Sequence, residues 1–314
     1  MPHRSYLQAQ PSDMLQLMVR LQEHSSSVRA IAWSAGGKLL ASASRDGSIR
    51  LWSEQDPLKH PLFKQSSIWN TALVWHPQRD LLACGTVDRQ IYVWDVDSHE
   101  LITTMFGHTG RLTDLAWSAQ DDMLVSASAD ATIGIWRLER NSPVAQMRGH
   151  RTAVTAISLA PNTPLLASAS EDMTIRIWDL KQRCLRTTLR KHEWYASSVA
   201  WKPDGKLLAS GGLDQNIHLW NGINLEHLAV YGYHHDWIRS MSWHPERALL
   251  ACGCKDGLLW IWDATAGKVV CTLQAHTSSV LQVTWSPNGR LLASSGEDGS
   301  VAIWTFSPDS VPTS

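Results

Sequence analysis

The sequence contains little phenylalanine, few cysteines and no long apolar run. Its 314 residues include only three Phe and five Cys. No apolar stretch approaches the roughly 18 residues that a membrane-spanning helix needs. The cysteines are odd in number and match no disulfide framework, and the N-terminus lacks the features of a secretory signal. These absences predict a reduced, cytoplasmic protein that does not span a membrane.

Charge of either sign is also scarce. Charged residues make up 18% of the chain, and 28 Lys and Arg nearly balance 29 Asp and Glu, for a net charge of −1. A protein with this balance has no overall attraction for nucleic acid or anionic membranes, although a local basic patch is compatible with it. The hydrophobic fraction of 44% is enough for a large core and too high for a disordered chain.

Tryptophan, in contrast, is abundant, with 17 residues, and it recurs with a fixed period. One set is spaced by 42 residues and comprises Trp52, Trp94, Trp136, Trp178, Trp220, Trp262 and Trp304. Six residues before each member lies an aspartate, namely Asp46, Asp88, Asp130, Asp172, Asp214, Asp256 and Asp298. A histidine lies 22 residues before six of these aspartates, at His24, His108, His150, His192, His234 and His276. The second unit has Ser66 instead. A period of 40–45 residues predicts propeller blades of four strands.

Each unit contains four short segments typical of strands. In the fourth unit these are AVTAISLA, LLASAS, TIRIWDL and CLRTTLR, and turn residues separate them. The first segment is apolar at nearly every position, so we expect both of its faces to be buried. The fourth segment is polar enough to form the outer edge. A second tryptophan set lies in the first strands, at Trp33, Trp75, Trp117, Trp201, Trp243 and Trp285, with Leu159 in the fourth unit.

The repeated His, turn Asp and Trp resemble the WD-repeat family of β-propellers. The family's name dipeptide occurs three times, at Trp94-Asp95, Trp178-Asp179 and Trp262-Asp263. The resemblance implies an all-β fold: a seven-bladed β-propeller of four-stranded antiparallel blades over residues 14–306. The last unit has no fourth segment, whereas LQLMVRL before His24 occupies that place. We therefore expect the N-terminal strand to pair with the last blade and close the ring, leaving residues 1–13 and 307–314 as tails.

Serine, histidine and aspartate recur in most units and suggest either catalysis or structure. The serine precedes the turn Asp by four residues in five units (Ser42, Ser126, Ser168, Ser210 and Ser294), and Cys84 and Cys252 replace it elsewhere. A hydrolase needs its triad once, whereas this set recurs around the ring. The resemblance implies a structural His–Ser–Asp–Trp network in each blade. We expect no catalytic residue, no metal and no cofactor; Cys252-Gly-Cys254 lacks a recognisable second ligand pair.

Functional residues should be those that the repeat does not explain. In an antiparallel blade, the loop into the first strand and the turn between the second and third strands lie at one end. In WD-repeat proteins this end, around the central opening, commonly binds partners. The positions outermost there are predicted to bind a partner, and they include Arg29, Arg45, Trp69, Arg111, Glu171, Tyr195, Trp237, Arg239, Lys255 and Glu297. Trp, Tyr and Arg are enriched at binding hot spots, although such residues can also simply pack or be solvated.

These observations favour a non-catalytic scaffold that binds a protein or an acidic peptide with apolar anchors, alone or as the sensor module of a larger assembly. The first alternative is a substrate receptor of a cullin-type ubiquitin ligase, because TIRIWDLK (Thr174 to Lys181) resembles an adaptor-docking motif. The second is an enzyme, but the axial positions carry no convergent ligand set. The third is a single-stranded nucleic-acid binder, against which the two glutamates and the neutral net charge argue.

Overall fold

The computed structural model describes residues 14–53, 62–64, 68–120, 122–232 and 234–307, and these contain 28 strands. The first thirteen are β1 (Leu15–Leu21), β2 (Val28–Trp33), β3 (Leu39–Ser44), β4 (Ser48–Ser53), β5 (Leu62–Lys64), β6 (Asn70–Trp75), β7 (Leu81–Thr86), β8 (Ile91–Asp95), β9 (Leu101–Met105), β10 (Leu112–Ser118), β11 (Met123–Ser128), β12 (Thr132–Trp136) and β13 (Ala145–Arg148). The others are β14 (Val154–Leu159), β15 (Leu165–Ser170), β16 (Ile175–Asp179), β17 (Cys184–Leu189), β18 (Ala196–Trp201), β19 (Leu207–Gly212), β20 (Ile217–Asn221), β21 (His227–Tyr231), β22 (Ile238–Trp243), β23 (Leu249–Cys254), β24 (Leu258–Asp263), β25 (Lys268–Gln274), β26 (Val280–Trp285), β27 (Leu291–Gly296) and β28 (Val301–Phe306). None of the described residues belongs to a helix long and apolar enough to cross a membrane.

The strands form seven antiparallel sheets of four strands, which confirms the predicted propeller. Blade 1 consists of β2 to β5, and blades 2 to 6 follow in consecutive groups of four up to β25. Blade 7 contains β26, β27 and β28, with β1 as its outer strand. The pairing of β1 with β28 sets Leu15 opposite Phe306 and Leu21 opposite Val301, so the N-terminal strand closes the ring as predicted. The predicted tails lie outside the described residues, except Ser307, whose N–H donates to the Met14 carbonyl at 2.9 Å.

The aspartate-containing turns share one backbone conformation. In every blade the residue after the turn Asp has a positive φ, between 65° and 83°, and its N–H bonds to the carbonyl three residues earlier. Glycine takes this left-handed conformation without strain and occupies the position in blades 1, 6 and 7, at Gly47, Gly257 and Gly299. The same turn therefore forms seven times, and it places each aspartate at the same end of its blade.

The hydrophobic core lies between adjacent blades. One apolar cluster joins Val125 and Ile135 of blade 3 to Ile157 and Trp178 of blade 4, and six similar clusters fill the other junctions. Six of the seven periodic tryptophans are buried in these layers, and Trp94 is half-buried. The junction between blades 7 and 1 is filled in the same way, so the ring is closed by packing as well as by strand pairing.

The first strand of blade 4 differs from expectation because several of its side chains are only half-buried, whereas five of the six residues of β18 in blade 5 are buried. In β14, Val154 and Ile157 are buried, but Thr155, Ala156 and Ser158 are only half-buried. These half-buried side chains line the central channel, which each inner strand borders on one face. The expectation of two buried faces was therefore wrong for β14, because an apolar run of small residues suits a channel wall as well as a core.

Candidate functional site

Each of five blades contains a chain of hydrogen bonds among the predicted network residues. In blade 4, His150 Nδ1 lies 2.9 Å from the Asp172 carboxylate, and its Nε2 lies 2.7 Å from Ser168 Oγ. The Trp178 indole N–H donates to the same hydroxyl at 2.8 Å. The aspartate also accepts the N–H of Arg151 at 3.0 Å. The chain thus links the loop, the second strand and the third strand through groups that would otherwise be buried without partners.

Blades 1, 3, 5 and 7 contain the same chain with nearly the same distances. Across the five blades the His–Asp distances are 2.9–3.1 Å, the His–Ser distances 2.7–2.9 Å and the Trp–Ser distances 2.8–3.1 Å. The residues are His24, Ser42, Asp46 and Trp52; His108, Ser126, Asp130 and Trp136; His192, Ser210, Asp214 and Trp220; and His276, Ser294, Asp298 and Trp304. Such repetition suits a structural part, whereas the contribution of the network to stability stays a prediction.

Blade 6 departs from this arrangement. Trp262 donates directly to His234 Nε2 at 3.2 Å, and the other ring nitrogen of His234 lies 3.3 Å from Cys254 Sγ. The Asp256 carboxylate makes no hydrogen bond to His234 in the described part of the chain, but accepts the Leu258 N–H at 3.0 Å. The predicted His–Asp pair therefore does not form here, because cysteines replace the hydroxyl residues around the ring.

Blade 2 also departs from it. Ser66, which stands in the place of the histidine, lies outside the described residues. Asp88 is bonded instead by the hydroxyls of Thr86 and Tyr92, the latter at 3.0 Å. Cys84 at the serine position bonds to the side chain of Asn70 at 3.2 Å, and Trp94 is half-buried. The blade keeps the fold with a different set of partners.

The network in blade 1 shifts the pKa values of His24 and Asp46. Burial alone would raise the pKa of Asp46, but the Ser48 hydrogen bonds and the nearby His24 lower it to about 2. Burial lowers the pKa of His24, and Asp46 opposes that shift without cancelling it. At neutral pH the pair is an ionised carboxylate that accepts a hydrogen bond from a neutral imidazole. This arrangement avoids a buried positive charge.

The predicted partner-binding positions meet at one end of the propeller. In all seven blades, the residue before the turn Asp donates its N–H to the carbonyl of the residue just before the first strand, at 2.8–3.1 Å. These bonds include Arg45 to Ser27, Ala129 to Arg111, Glu171 to Ala153 and Lys255 to Trp237. The loop and the turn therefore lie side by side around one mouth of the channel, which we call the upper face.

The upper face opens into a central cavity of about 730 Å³. Its lining includes seven of the ten predicted residues: Arg29, Arg45, Trp69, Arg111, Glu171, Tyr195 and Arg239. The other three, Trp237, Lys255 and Glu297, do not line it. Glu297 borders a smaller pocket beside Arg45, between blades 7 and 1. The ten residues predicted to bind a partner therefore belong to two groups: seven line the channel, and three lie on the rim around its mouth.

Two tryptophans of the upper face stack with cations. The Arg45 guanidinium lies 4.9 Å from the ring centroid of Trp69, whose side chain is 48% exposed. Trp237 contacts two cations, with Lys255 Nζ at 3.8 Å and the Arg239 guanidinium at 5.3 Å. These contacts hold flat aromatic surfaces next to positive charge at the mouth of the channel.

The basic residues of the upper face form no direct ion pair with the described residues. None of Arg29, Arg45, Arg111, Arg239 and Lys255 forms a side-chain ion pair or hydrogen bond with any residue that the structure describes. Burial, together with repulsion from Arg45 and Arg239, lowers the pKa of Arg29 to about 10. The Nε of Arg239 is buried without a partner. Positive charge therefore converges here, and Glu297 and Asp236 oppose it only through space, without a direct ion pair to these residues in the described part of the chain.

Sequence reasoning missed a carboxylate in the channel wall. Asp114 of β10 accepts N–H groups from Leu115 and, across the blade boundary, from Ile157, both at 2.8 Å. Burial raises the pKa of Asp114 to about 7, although these two hydrogen bonds oppose the shift. The equivalent residues in blades 1 and 2 are Ala30 and Ala72, so an acidic residue within an otherwise apolar inner strand was the available signal.

Two other sequence features lie inside the blades. Cys252 and Cys254 are fully buried, and burial raises the pKa of both thiols. In the ligase-motif candidate, Ile177, Trp178 and Asp179 are buried, and Asp179 forms an ion pair with Arg186 at 3.0 Å. The segment that resembles an adaptor-docking motif, Thr174 to Lys181, therefore exposes few side chains that a ligase adaptor could contact.

Comparison with known proteins matches both halves of the ring. Residues 15–160 match the family model described as the IFT140 first beta-propeller, and residues 182–221, 225–263 and 267–305 match the model described as WD domain, G-beta repeat. The chain is similar to WD40 repeat-containing protein HOS15 of Arabidopsis thaliana, with 36% identity over 107 residues, 29% of this chain and 17% of that protein. It is also similar to Target of rapamycin complex subunit wat1 of Schizosaccharomyces pombe, with 31% identity over 105 residues, 32% of this chain and 33% of that protein. The matched segments span about a third of these relatives or less.

Proposed function

Because the chain belongs to the WD-repeat family of β-propellers, we propose that it is a non-catalytic scaffold that binds a protein or peptide on its upper face. The observation that carries this proposal is the set of cations without direct ion pairs beside the exposed Trp69 and the half-buried Trp237 at the channel mouth. One of the similar proteins is named as a subunit of a complex, which supports a role in assembly. The Ser, His and Asp residues are hydrogen-bonded to one another within the blades, which supports a structural use.

The chemistry of the upper face favours an acidic partner segment with an apolar anchor. A partner carboxylate would supply the direct ion pair that Arg29, Arg111 and Arg239 do not form with the described residues. An aromatic or aliphatic side chain would bury the exposed surface of Trp69 or Tyr195. Glu171 and Glu297 interrupt the positive ring, so a segment of mixed character fits better than a polyanion. For this reason we rank a peptide above a nucleic acid.

Selection of peptides from a displayed random library on the purified protein tests the proposal. We expect binders that combine Asp or Glu with an apolar anchor. The double variants Arg45→Glu/Arg111→Glu and Trp69→Ala/Trp237→Ala should each weaken the best peptide by at least about tenfold, or about 1.4 kcal/mol. The matched measurement is the dissociation constant at fixed ionic strength, because contacts between exposed charges weaken with salt.

Two controls lie at the opposite end of the propeller. Arg140 and Ile223 are exposed in loops that join third and fourth strands, and Ile223 is 83% exposed. Arg140→Glu and Ile223→Ala should leave peptide binding unchanged. Equal binding by both upper-face variants would contradict the proposal, as would a single-stranded oligonucleotide that binds in place of every selected peptide.

The role as sensor module of a larger assembly and the cytoplasmic location are further proposals. The limited share of each relative that is matched is compatible with a module, and co-purification of the native protein at its full length tests that role. The five cysteines form no disulfide, which is typical of a reducing compartment. A fluorescent fusion and cell fractionation test the location, and recovery in a secreted or membrane fraction would contradict it.

A further inference from the structure

Blade 5 differs from the other blades in the polar groups around its turn aspartate. In blades 1, 3, 4 and 7, a hydroxyl two residues after the aspartate donates to the carboxylate at 2.5–2.7 Å; these residues are Ser48, Thr132, Thr174 and Ser300. Blade 5 has Asn216 there, and only its backbone N–H reaches Asp214, at 3.3 Å. The Asp214 carboxylate therefore lacks the strongest neutral donor that its counterparts have.

A second hydroxyl is also missing from blade 5. Ser44, Ser128 and Ser170 stand two residues before the aspartate in blades 1, 3 and 4, where each accepts the aspartate N–H. Blade 5 has Gly212. A Cβ atom added to Gly212 would lie 2.8 Å from both Asp214 Oδ1 and His192 Nδ1. Because residue 212 has no side chain, nothing from this position covers Asp214 Oδ1 or His192 Nδ1. Blade 7 also has a glycine, Gly296, but keeps its hydroxyl at Ser300.

An additional histidine takes part in this cluster. His218 in β20 occupies the position of Arg50 in blade 1 and Arg176 in blade 4, and it is 5% exposed. Its Nε2 is buried and has no hydrogen-bond partner among the described residues. The centroids of the His218 and His192 rings are 4.6 Å apart. A buried imidazole nitrogen without a partner is costly, and it indicates that this position favours a ligand.

Three potential ligand atoms converge at this point. One ring nitrogen of His192, one carboxylate oxygen of Asp214 and one ring nitrogen of His218 all lie within 4.8 Å of one another. Two imidazoles and a carboxylate form a donor set typical of zinc, which takes its fourth ligand from water when the protein supplies three. In the described part of the chain no other group of this kind occurs.

The groups behind the ligands suit metal binding. His218 Nδ1 lies 3.0 Å from His227 Nε2, and a proton donated along this contact leaves a lone pair on His218 Nε2. His192 Nε2 lies 2.9 Å from Ser210 Oγ, which can likewise hold the ring proton away from the metal side. Metal-binding histidines commonly donate their second nitrogen in this way.

We propose that His192, Asp214 and His218 bind a zinc-class divalent cation inside blade 5, close to the upper face. The cation would replace the missing hydroxyl donor at residue 216 as the partner of the Asp214 carboxylate and would occupy the unpartnered nitrogen of His218. Lys191 carries a positive charge that acts on His218 and would repel a cation, but its side chain is exposed and screened by solvent. The site is independent of partner binding, so either proposal can fail while the other stands.

Titration of the chelator-treated, untagged full chain with ZnCl₂ alone tests the site by calorimetry and thermal melting. We expect about one equivalent to bind and to raise the melting temperature by several degrees. His218→Arg removes one ligand but introduces the residue that this fold accommodates in blades 1 and 4. Asn216→Thr restores the hydroxyl donor found at Thr174. Both variants should fold and should bind Zn²⁺ at least about tenfold more weakly.

A control distinguishes this site from adventitious binding. His99 lies in an exposed turn and has a positive φ of 61°, which asparagine tolerates, so His99→Asn should leave Zn²⁺ binding unchanged. Substitution of Co²⁺ should give a visible spectrum without the thiolate-to-cobalt band that cysteine ligation produces. Failure of the wild type to bind Zn²⁺, as expected if only water bridges the three residues, would overturn the proposal. Equal affinity in wild type and Asn216→Thr would also overturn it.

Discussion

Blades 4 and 6 have the same histidine, aspartate and tryptophan but connect them differently. In blade 4, Ser168 joins His150 to Trp178, and Asp172 holds the other ring nitrogen. In blade 6, Cys252 replaces the serine, the tryptophan bonds directly to the histidine, and Asp256 makes no described bond to the ring. Both tryptophans are nevertheless buried to the same extent, at 2% and 1% exposure. The comparison indicates that packing of the tryptophan determines the shape of a blade, and that the hydrogen-bond network stabilises a shape that packing has already set.

The electrostatics of the two histidines differ in the same sense. Burial lowers the pKa of both, but in blade 4 the hydrogen bond and charge of Asp172 oppose that effect. Nothing of this kind supports His234, whose pKa burial lowers to about 4. The Asp172 carboxylate in blade 4 therefore accepts a hydrogen bond from the histidine, whereas the Asp256 carboxylate in blade 6 accepts only a backbone N–H within its own turn.

The largest expected effect is the loss of core volume, and it should be similar in the two blades. Trp178→Ala and Trp262→Ala should each lower the free energy of unfolding by about 3–5 kcal/mol, because a large buried side chain leaves a cavity. Chemical denaturation followed by circular dichroism measures both. A near-neutral Trp262→Ala would contradict the view that packing in blade 6 compensates for its altered network.

Removing the aspartate should separate the two blades. Asp172→Ala leaves His150 Nδ1, the Thr174 hydroxyl and the Arg151 N–H without their acceptor, and we expect a loss of about 1–3 kcal/mol. Asp256→Ala removes one backbone contact and should cost less than about 1 kcal/mol. Thermal melting of the paired variants under one condition provides the test. Equal losses would show that the His–Asp bond adds no stability of its own.

The fold was predictable because its signal repeats. A spacing of 42 residues between Trp52 and Trp94, maintained through Trp304, leaves no room for insertions and fixes the number of blades. The closing strand Leu15–Leu21 was also predictable, since the last unit lacks one segment and the chain begins with a matching one. The inner strands were predicted less well. Apolar residues such as Ala156 look the same in sequence whether they face a core or a channel.

The candidate sites were predictable only in part. Topology placed Arg45 and Trp69 at the same mouth, but the contact between their side chains depends on rotamers that the sequence does not reveal. The cluster of His192, Asp214 and His218 was not predicted, and no metal was expected. His218 lies outside the repeated motif, and its approach to the other two depends on the register of β19 and β20. Asp114 was missed for the same reason: its partner Ile157 belongs to the next blade.

The smallest expected effect is a difference in acid stability between Asn variants of the two aspartates. Burial would raise the pKa of Asp172, but hydrogen bonds from His150 and Thr174 hold it well below its usual range. A carboxyl whose pKa is lower in the folded state contributes stability above its unfolded pKa of about 3.8, and that contribution disappears as the pH falls through the folded value.

Asp172→Asn should therefore lose less stability than the wild type on acidification from pH 5 to pH 2. The difference should be on the order of 1 kcal/mol, because the residue is not wholly shielded from solvent. Asp256→Asn is the matched control, since it removes no described bond to a histidine. Urea denaturation at both pH values measures the three proteins. If all three lost stability in parallel, the His150–Asp172 pair would have no part in the acid sensitivity of the fold, and the difference between blades 4 and 6 would be one of geometry alone.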